Sequence, residues 1–170
     1  MASLPQKSLS LAHFYGTSVR LVFHDAVDLD LTQPDLMGAD GCLGDGLGSA
    51  GLFEPTSPIM TLLEPIYQEY CDQINRPDFW VLFGKLVVEK ADPTGTIRIP
   101  FQFGRRTATD CSAGIGRDPD AQDGVDAIKQ AFVVQLGLTY ADAGSQYLLE
   151  SIFKYTIKIT FYVLIVTVLN

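Results

Sequence analysis

The sequence predicts a mainly α-helical domain whose helices are joined by two long, ordered loops. Three observations carry this. Apolar residues recur at spacings of three, four and seven in several separate segments. Two stretches between them, 27–56 and 91–123, are rich in Gly, Asp and Pro. No internal repeat or low-complexity tract competes with that pattern. Long loops inside a compact domain usually hold something.

The first helix is expected over Leu9–Ala26, where Leu11, Phe14, Val19, Val22, Phe23 and Ala26 share helical spacing. Pro58–Ile74 returns to that spacing through Ile59, Leu62, Leu63, Ile66 and Tyr70. Pro77 then suits the first turn of a helix running on through Asp78–Lys90, where its missing N–H costs little. Val125–Leu136 forms a further helix stopped by Gly137, and Thr139 with Asp142 makes a capping-box start for another. The last stretch, Ser151–Asn170, alternates β-branched and aromatic residues without helical period. Its apolar run Ile159–Leu169 is shorter than a bilayer-spanning helix requires. It reads as a strand, an interfacial anchor or a non-native tail.

The chain has 170 residues, 47% hydrophobic and 19% charged, enough apolar material for one domain or part of a larger one. Its net charge of -8 argues against nucleic acid, because no basic stripe exists to displace counterions from phosphates. It disfavours an anionic membrane surface in the same way. Cys42, Cys71 and Cys111 form no CxxC or Cys/His cluster, so a structural zinc site is not expected. One disulfide plus a free thiol and three reduced thiols both remain open, and the compartment with them. Residues 1–10 do not read as a secretory signal.

The residues that carry chemistry lie on the first helix. Arg20 and His24, four apart, project from one face. A histidine placed there can take a proton from one oxygen of a peroxide and return it to the other. The arginine meanwhile stabilises the charge that develops as the O–O bond breaks. Alone, such a pair is an ordinary feature of an amphipathic helix. The residues that follow add to it: Asp25 comes next, and Gly38-Ala39-Asp40-Gly41-Cys42 lies in the loop downstream. Two carboxylates and a glycine-turned backbone can converge on a hard cation such as calcium, although turn residues have the same composition.

The run RLVFHDA (Arg20–Ala26) followed by GADGC (Gly38–Cys42) resembles the distal helix and distal calcium loop of the plant/fungal/bacterial haem peroxidase superfamily. The resemblance continues through SAGL (Ser49–Leu52), LLEPIYQEY (Leu62–Tyr70), PDFWVL (Pro77–Leu82), IPFQFGR (Ile99–Arg105), GRDPDAQ (Gly116–Gln122) and LGLTYAD (Leu136–Asp142). These blocks stand in the superfamily's order over residues 11–143. The resemblance implies a predominantly helical fold that binds haem b between two domains and reduces hydrogen peroxide while oxidising a small donor, as in the response to oxidative stress. It makes Arg20 the distal arginine, His24 the distal acid/base and Phe23 the aromatic residue over the haem. Asp25, Gly38 and Asp40 become calcium ligands, Gly38 through its carbonyl, and Pro119 lies near the haem propionate edge.

The sequence departs from that pattern at several points. Ser49 stands where an asparagine usually orients the distal histidine; its hydroxyl has a shorter reach. Cys42 replaces the usual serine of the calcium loop, and a thiol is a poor calcium ligand. The only histidines are His13 and His24, so the proximal residue that ligates iron is not identifiable beyond Ala143. The expectation is a distal domain over 1–143, incomplete, and a divergent apolar tail over 144–170 that resembles translated non-coding sequence. Three functions follow: a haem peroxidase, a truncated and catalytically inactive relative without stable haem, or a calcium-binding or interaction module on the distal scaffold. No membrane span is expected, and localisation stays open.

Overall fold

The computed structural model describes residues 11–34, 38–43, 49, 51–52, 57–117 and 124–141. The tail, the expected boundary at 143/144, Pro119 and Asp142 lie outside the described residues. The described part is mainly helical and contains no strand. None of its helices is long and apolar enough to cross a membrane.

Helix α1 (Leu11–Ala26) is the central element. Its first turns are half exposed, and Thr17 and Ser18 donate their hydroxyls back to the carbonyls of His13 (2.9 Å) and Phe14 (2.7 Å). From Leu21 onward it is buried on every side. Leu21 points into one apolar cluster with Leu43, Leu52, Ile59, Leu63 and Trp80. Val22, Phe23, Ala26 and Val27 point into another with Val81, Val88, Ile99, Phe132 and Leu136. Each such fully buried side chain contributes about 1.5–3 kcal/mol. The consequence for function is positional, since a helix clamped between two cores holds its polar residues in fixed directions.

Helix α2 (Pro58–Tyr70) starts with proline at its first position and carries a second, exposed one, Pro65. It ends four residues before the expected Ile74. There Gln73 and Ile74 donate their N–H groups to the Tyr70 carbonyl in a turn. The reason lies in the next helix, because Asn75 must be extended (ψ 164°) to cap it and accept the Asp78 N–H at 2.9 Å. Helix α3 (Arg76–Ala91) begins earlier than Asp78 for the same reason, with Pro77 in its first turn. It packs along α1, and Gly84 permits the approach: a β-carbon there would stand 2.5 Å from Val22 Cγ2.

The second long loop is ordered by carboxylates. Buried Asp78 accepts N–H groups of Gly104 (2.8 Å) and Arg105 (3.4 Å) and the Arg105 guanidinium (2.8 Å). Asn75 donates to the Arg105 carbonyl at 2.7 Å, and Glu89 accepts the Ile99 N–H at 2.7 Å. Asp92, just past α3, accepts the hydroxyl of Thr94 and the N–H groups of Thr94, Thr96 and Ile97. The Thr94 hydroxyl first, then the Ile97 N–H, hold its carboxyl well below the usual 3.8. A depressed carboxyl contributes stability above its unfolded value and loses it as pH falls through the folded one. Melting measured from about pH 5 to about pH 2 is therefore expected to fall less steeply in Asp92→Asn than in the wild type.

The expected helix Val125–Leu136 is two pieces. Helix α4 (Gly124–Lys129) widens into a π-helical segment, Gln130–Gln135. Leu136 N–H reaches back five residues to the Ala131 carbonyl (3.0 Å), and Leu138 N–H donates to Phe132 (2.9 Å). The wider turn buries both Ala131 and Phe132. Leu31 N–H donates to the Gln135 carbonyl (2.8 Å), fastening the chain after α1 to this end.

Candidate functional site

The candidate residues gather along the C-terminal half of α1. Arg20 is half-buried and His24 is buried, one turn apart. Ser49 is buried beside them, with its Oγ 3.4 Å from His24 Nδ1. That distance is at the long end for a hydrogen bond, as a serine's short reach would give. Gly51 passes next to the arginine; a β-carbon there would stand 4.0 Å from Arg20 Nη1. Ser49 and Gly51, brought in from outside the helix, thus meet one member of the pair each.

Phe23, the neighbour of His24 in sequence, faces inward. Its ring is 5% exposed and packed in the core, because the turn of α1 that aims His24 at Ser49 aims Phe23 at Phe132. Phe23 stacks on Phe132 with centroids 5.7 Å apart and planes 8° from parallel. It also presents an edge to the His24 ring at 5.6 Å and 85°. Hence the imidazole is bounded by a hydroxyl on one ring nitrogen and by a rigid aromatic pair. Sequence pattern does not single out Phe132; its apolar spacing marks it only as a core residue.

Asp25 points away from that face and is fully buried. Its Oδ1 accepts the Gly41 N–H at 2.9 Å. Its Oδ2 is buried with no hydrogen-bond partner among the described residues. Asp40, also buried, uses Oδ1 to accept the Cys42 N–H (3.0 Å), and its carbonyl accepts the Ala108 N–H (2.9 Å). Gly41 has φ +80°, and a β-carbon there would meet Pro77 Cδ at 2.9 Å, so this turn needs glycine on both counts. Burial, then the charge of Asp40, then that of Asp28, push the Asp25 carboxyl well above 3.8, against the opposing Gly41 N–H. Asp28, 2% exposed, is the residue that sequence pattern did not select. Its signal was the HDAVD spacing, which sets it one helical turn beyond Asp25. Gly38 lies half-buried against Leu29.

The cysteines resolve into one disulfide, Cys42–Cys111, with Cα atoms 5.4 Å apart, and a free, exposed Cys71. Cys42 is thereby removed from any ligand set. Among the described residues no group of three or more His, Cys, Asp or Glu side chains is placed to hold a metal ion. Calcium needs fewer, because it takes backbone carbonyls beside carboxylates. The orphaned Oδ2 of Asp25, pressed by two like charges, is an atom that a hard cation would satisfy. Comparison with protein-family models and with curated proteins finds no match to this chain.

Proposed function

We propose that this chain is the peroxide-cleaving side of a haem peroxidase of the plant/fungal/bacterial superfamily, reducing hydrogen peroxide at the expense of a small donor. The observation that carries the proposal is the Arg20–His24–Ser49 arrangement: an arginine and a histidine one turn apart, with a buried hydroxyl at the imidazole Nδ1. Ser49 orients the ring so that Nε2 exchanges protons with the peroxide. His24 takes a proton from one peroxide oxygen and returns it to the other, so that water leaves. Arg20 supports the negative charge on the departing oxygen. The Phe23–Phe132 stack limits rotation of the imidazole and keeps water from its edge.

Haem b, when bound, supplies the iron at which peroxide gains two electrons and through which the donor loses them. His13 and His24 both lie on α1, and with His24 serving the peroxide no residue is assigned to hold the iron. Pro119 belongs to the proposed haem edge. The fold reading in this proposal rests on the order of the sequence blocks and on the helical architecture that carries them.

Calcium fits the second cluster, with Asp25 and Asp40 offering carboxylates and Gly38 its carbonyl. Calcium at 100 times its dissociation constant contributes about 2.7 kcal/mol. A rise of roughly 5–10 °C in Tm follows for a chain of this size. Asp25→Asn is expected to remove the calcium-dependent part of that rise, read by thermal melting with calcium and with a chelator.

The test of the haem reading is titration of the purified chain with hemin in the presence of imidazole as the external axial ligand. Saturable uptake near one haem per chain, with a Soret band that changes on adding peroxide, supports it. Absence of uptake together with calcium-dependent melting points instead to a calcium-binding module on the same scaffold.

A further inference from the structure

We propose that the Cys42–Cys111 disulfide is a redox latch on the loop at Asp25, whose reduction releases the carboxylate cluster while leaving the helices in place. Three features point to it. First, the bond joins two segments 69 residues apart that meet at this loop, where it is the covalent tie beside the hydrogen bonds of Ala108 and Arg117. On one side Cys42 follows Asp40 and Gly41, the two residues tied to Asp25 and to Ala108. On the other side Cys111 opens the short turn Ser112–Gly114, which is seated directly on the Asp28 carboxylate. Arg117, just beyond that turn, donates to the Asp28 carbonyl at 2.8 Å. The disulfide is therefore the covalent member of a clamp that closes around Asp25, Asp28 and Asp40.

Second, the two cysteines differ in exposure. Cys42 is 5% exposed, whereas Cys111 is an exposed residue. A thiolate from solvent reaches Cys111 first. Third, the loop has little apolar anchorage of its own. Among its described residues, Gly38, Asp40 and Gly41 offer small or polar side chains, Ala39 packs only at the edge of the core, and Cys42 and Leu43 are buried in it. Once the bond is open, a few hydrogen bonds hold what the disulfide held.

The reductant is a dithiol. One of its thiolates attacks Cys111 Sγ, the S–S bond breaks, and Cys42 leaves as a thiolate that takes up a proton. The second dithiol sulfur, as thiolate, then attacks the mixed disulfide and releases Cys111, which is protonated in turn. The chain's disulfide gains two electrons and two protons, and the dithiol becomes a disulfide. Asp25 is adjacent to His24 in α1, so the clamp grips the same turn of the helix that carries the imidazole. The consequence for cation binding rests on the proposed calcium site; the release of the loop does not.

Amide hydrogen exchange decides the matter, measured residue by residue on oxidised and dithiothreitol-reduced protein in a Cys71→Ser background. The expected result is exchange at least about tenfold faster at Gly41, Cys42 and Ala108 on reduction, with Leu21 and Val22 in α1 unchanged. Equal exchange at those three amides in both forms overturns the latch. So does equal acceleration in α1, or loss of helical circular dichroism, since either makes the bond a staple of the whole fold. A Cys42→Ala/Cys111→Ala variant should exchange as the reduced protein does without any reductant; oxidised-like exchange in it overturns the proposal as well. Calcium titration of both forms should show affinity at least about tenfold weaker after reduction. If the oxidised protein binds no calcium, the calcium reading fails by itself, and the exchange rates still decide the latch.

Discussion

Replacing Asp78 by alanine is expected to destabilise the chain by about 3–5 kcal/mol, the cost of stripping a buried charge of its partner. The carboxylate is 3% exposed and accepts two backbone N–H groups and the Arg105 guanidinium. Arg105 is itself largely buried, with 12% of its side chain exposed and its guanidinium over the Phe101 ring. Alanine leaves that cation without its counter-charge and the Gly104 N–H without its acceptor. The pair formed by Arg76 and Glu64 looks stronger on paper, with two bonds of 2.6 and 3.0 Å. Its side chains are 26% and 36% exposed, so water already solvates both, and Glu64→Ala should cost no more than about 1 kcal/mol. Urea unfolding of the two variants makes the comparison. Equal losses would show that burial does not rank these ion pairs. The larger loss also reaches the site, because Asp78 holds the start of the loop that carries Ala108 and Cys111.

For the haem-loaded chain, His24→Leu is expected to lower the second-order rate of peroxide consumption by about two to four orders of magnitude. Leucine keeps the bulk of the ring and removes only its proton chemistry. Arg20→Leu removes charge stabilisation instead and should cost about two to three orders of magnitude. In the proposed reaction the two residues act on the same bond, so the double variant should lose less than the product of the single losses. Steady-state peroxide consumption, at matched haem occupancy, measures all three.

Much of the helical frame could be read from the chain because helical periodicity is local. Leu11, Phe14, Val22 and Phe23 mark α1 without reference to anything distant, and the Arg20/His24 face comes with it. The limits appear where distant residues decide. Ser49 lies 25 residues from His24, so its contact could be named only through the resemblance, not from spacing. Which cysteine stays free depends on loops folding back, and three cysteines at unequal spacing do not reveal that. The end of α2 was set by Asn75 serving the next helix, a demand that periodicity through Ile74 conceals. Likewise the apolar spacing of Val125–Leu136 suits an α-helix, yet the chain widens at Gln130 to bury Ala131 and Phe132 together. The stacking of Phe23 on Phe132 was hidden in the same way, because the two are more than a hundred residues apart in sequence.

The most direct test of the proposed peroxide-cleaving site is rapid mixing of the hemin-loaded chain, with imidazole supplied, against hydrogen peroxide. The quantity compared is the rate of the Soret change in the wild type and in Arg20→Leu/His24→Leu. The account predicts a fast, peroxide-dependent change in the wild type that slows by at least about a hundredfold in the double variant at unchanged haem occupancy. Equal rates in the two proteins would contradict it, because the bound haem would then react without help from α1.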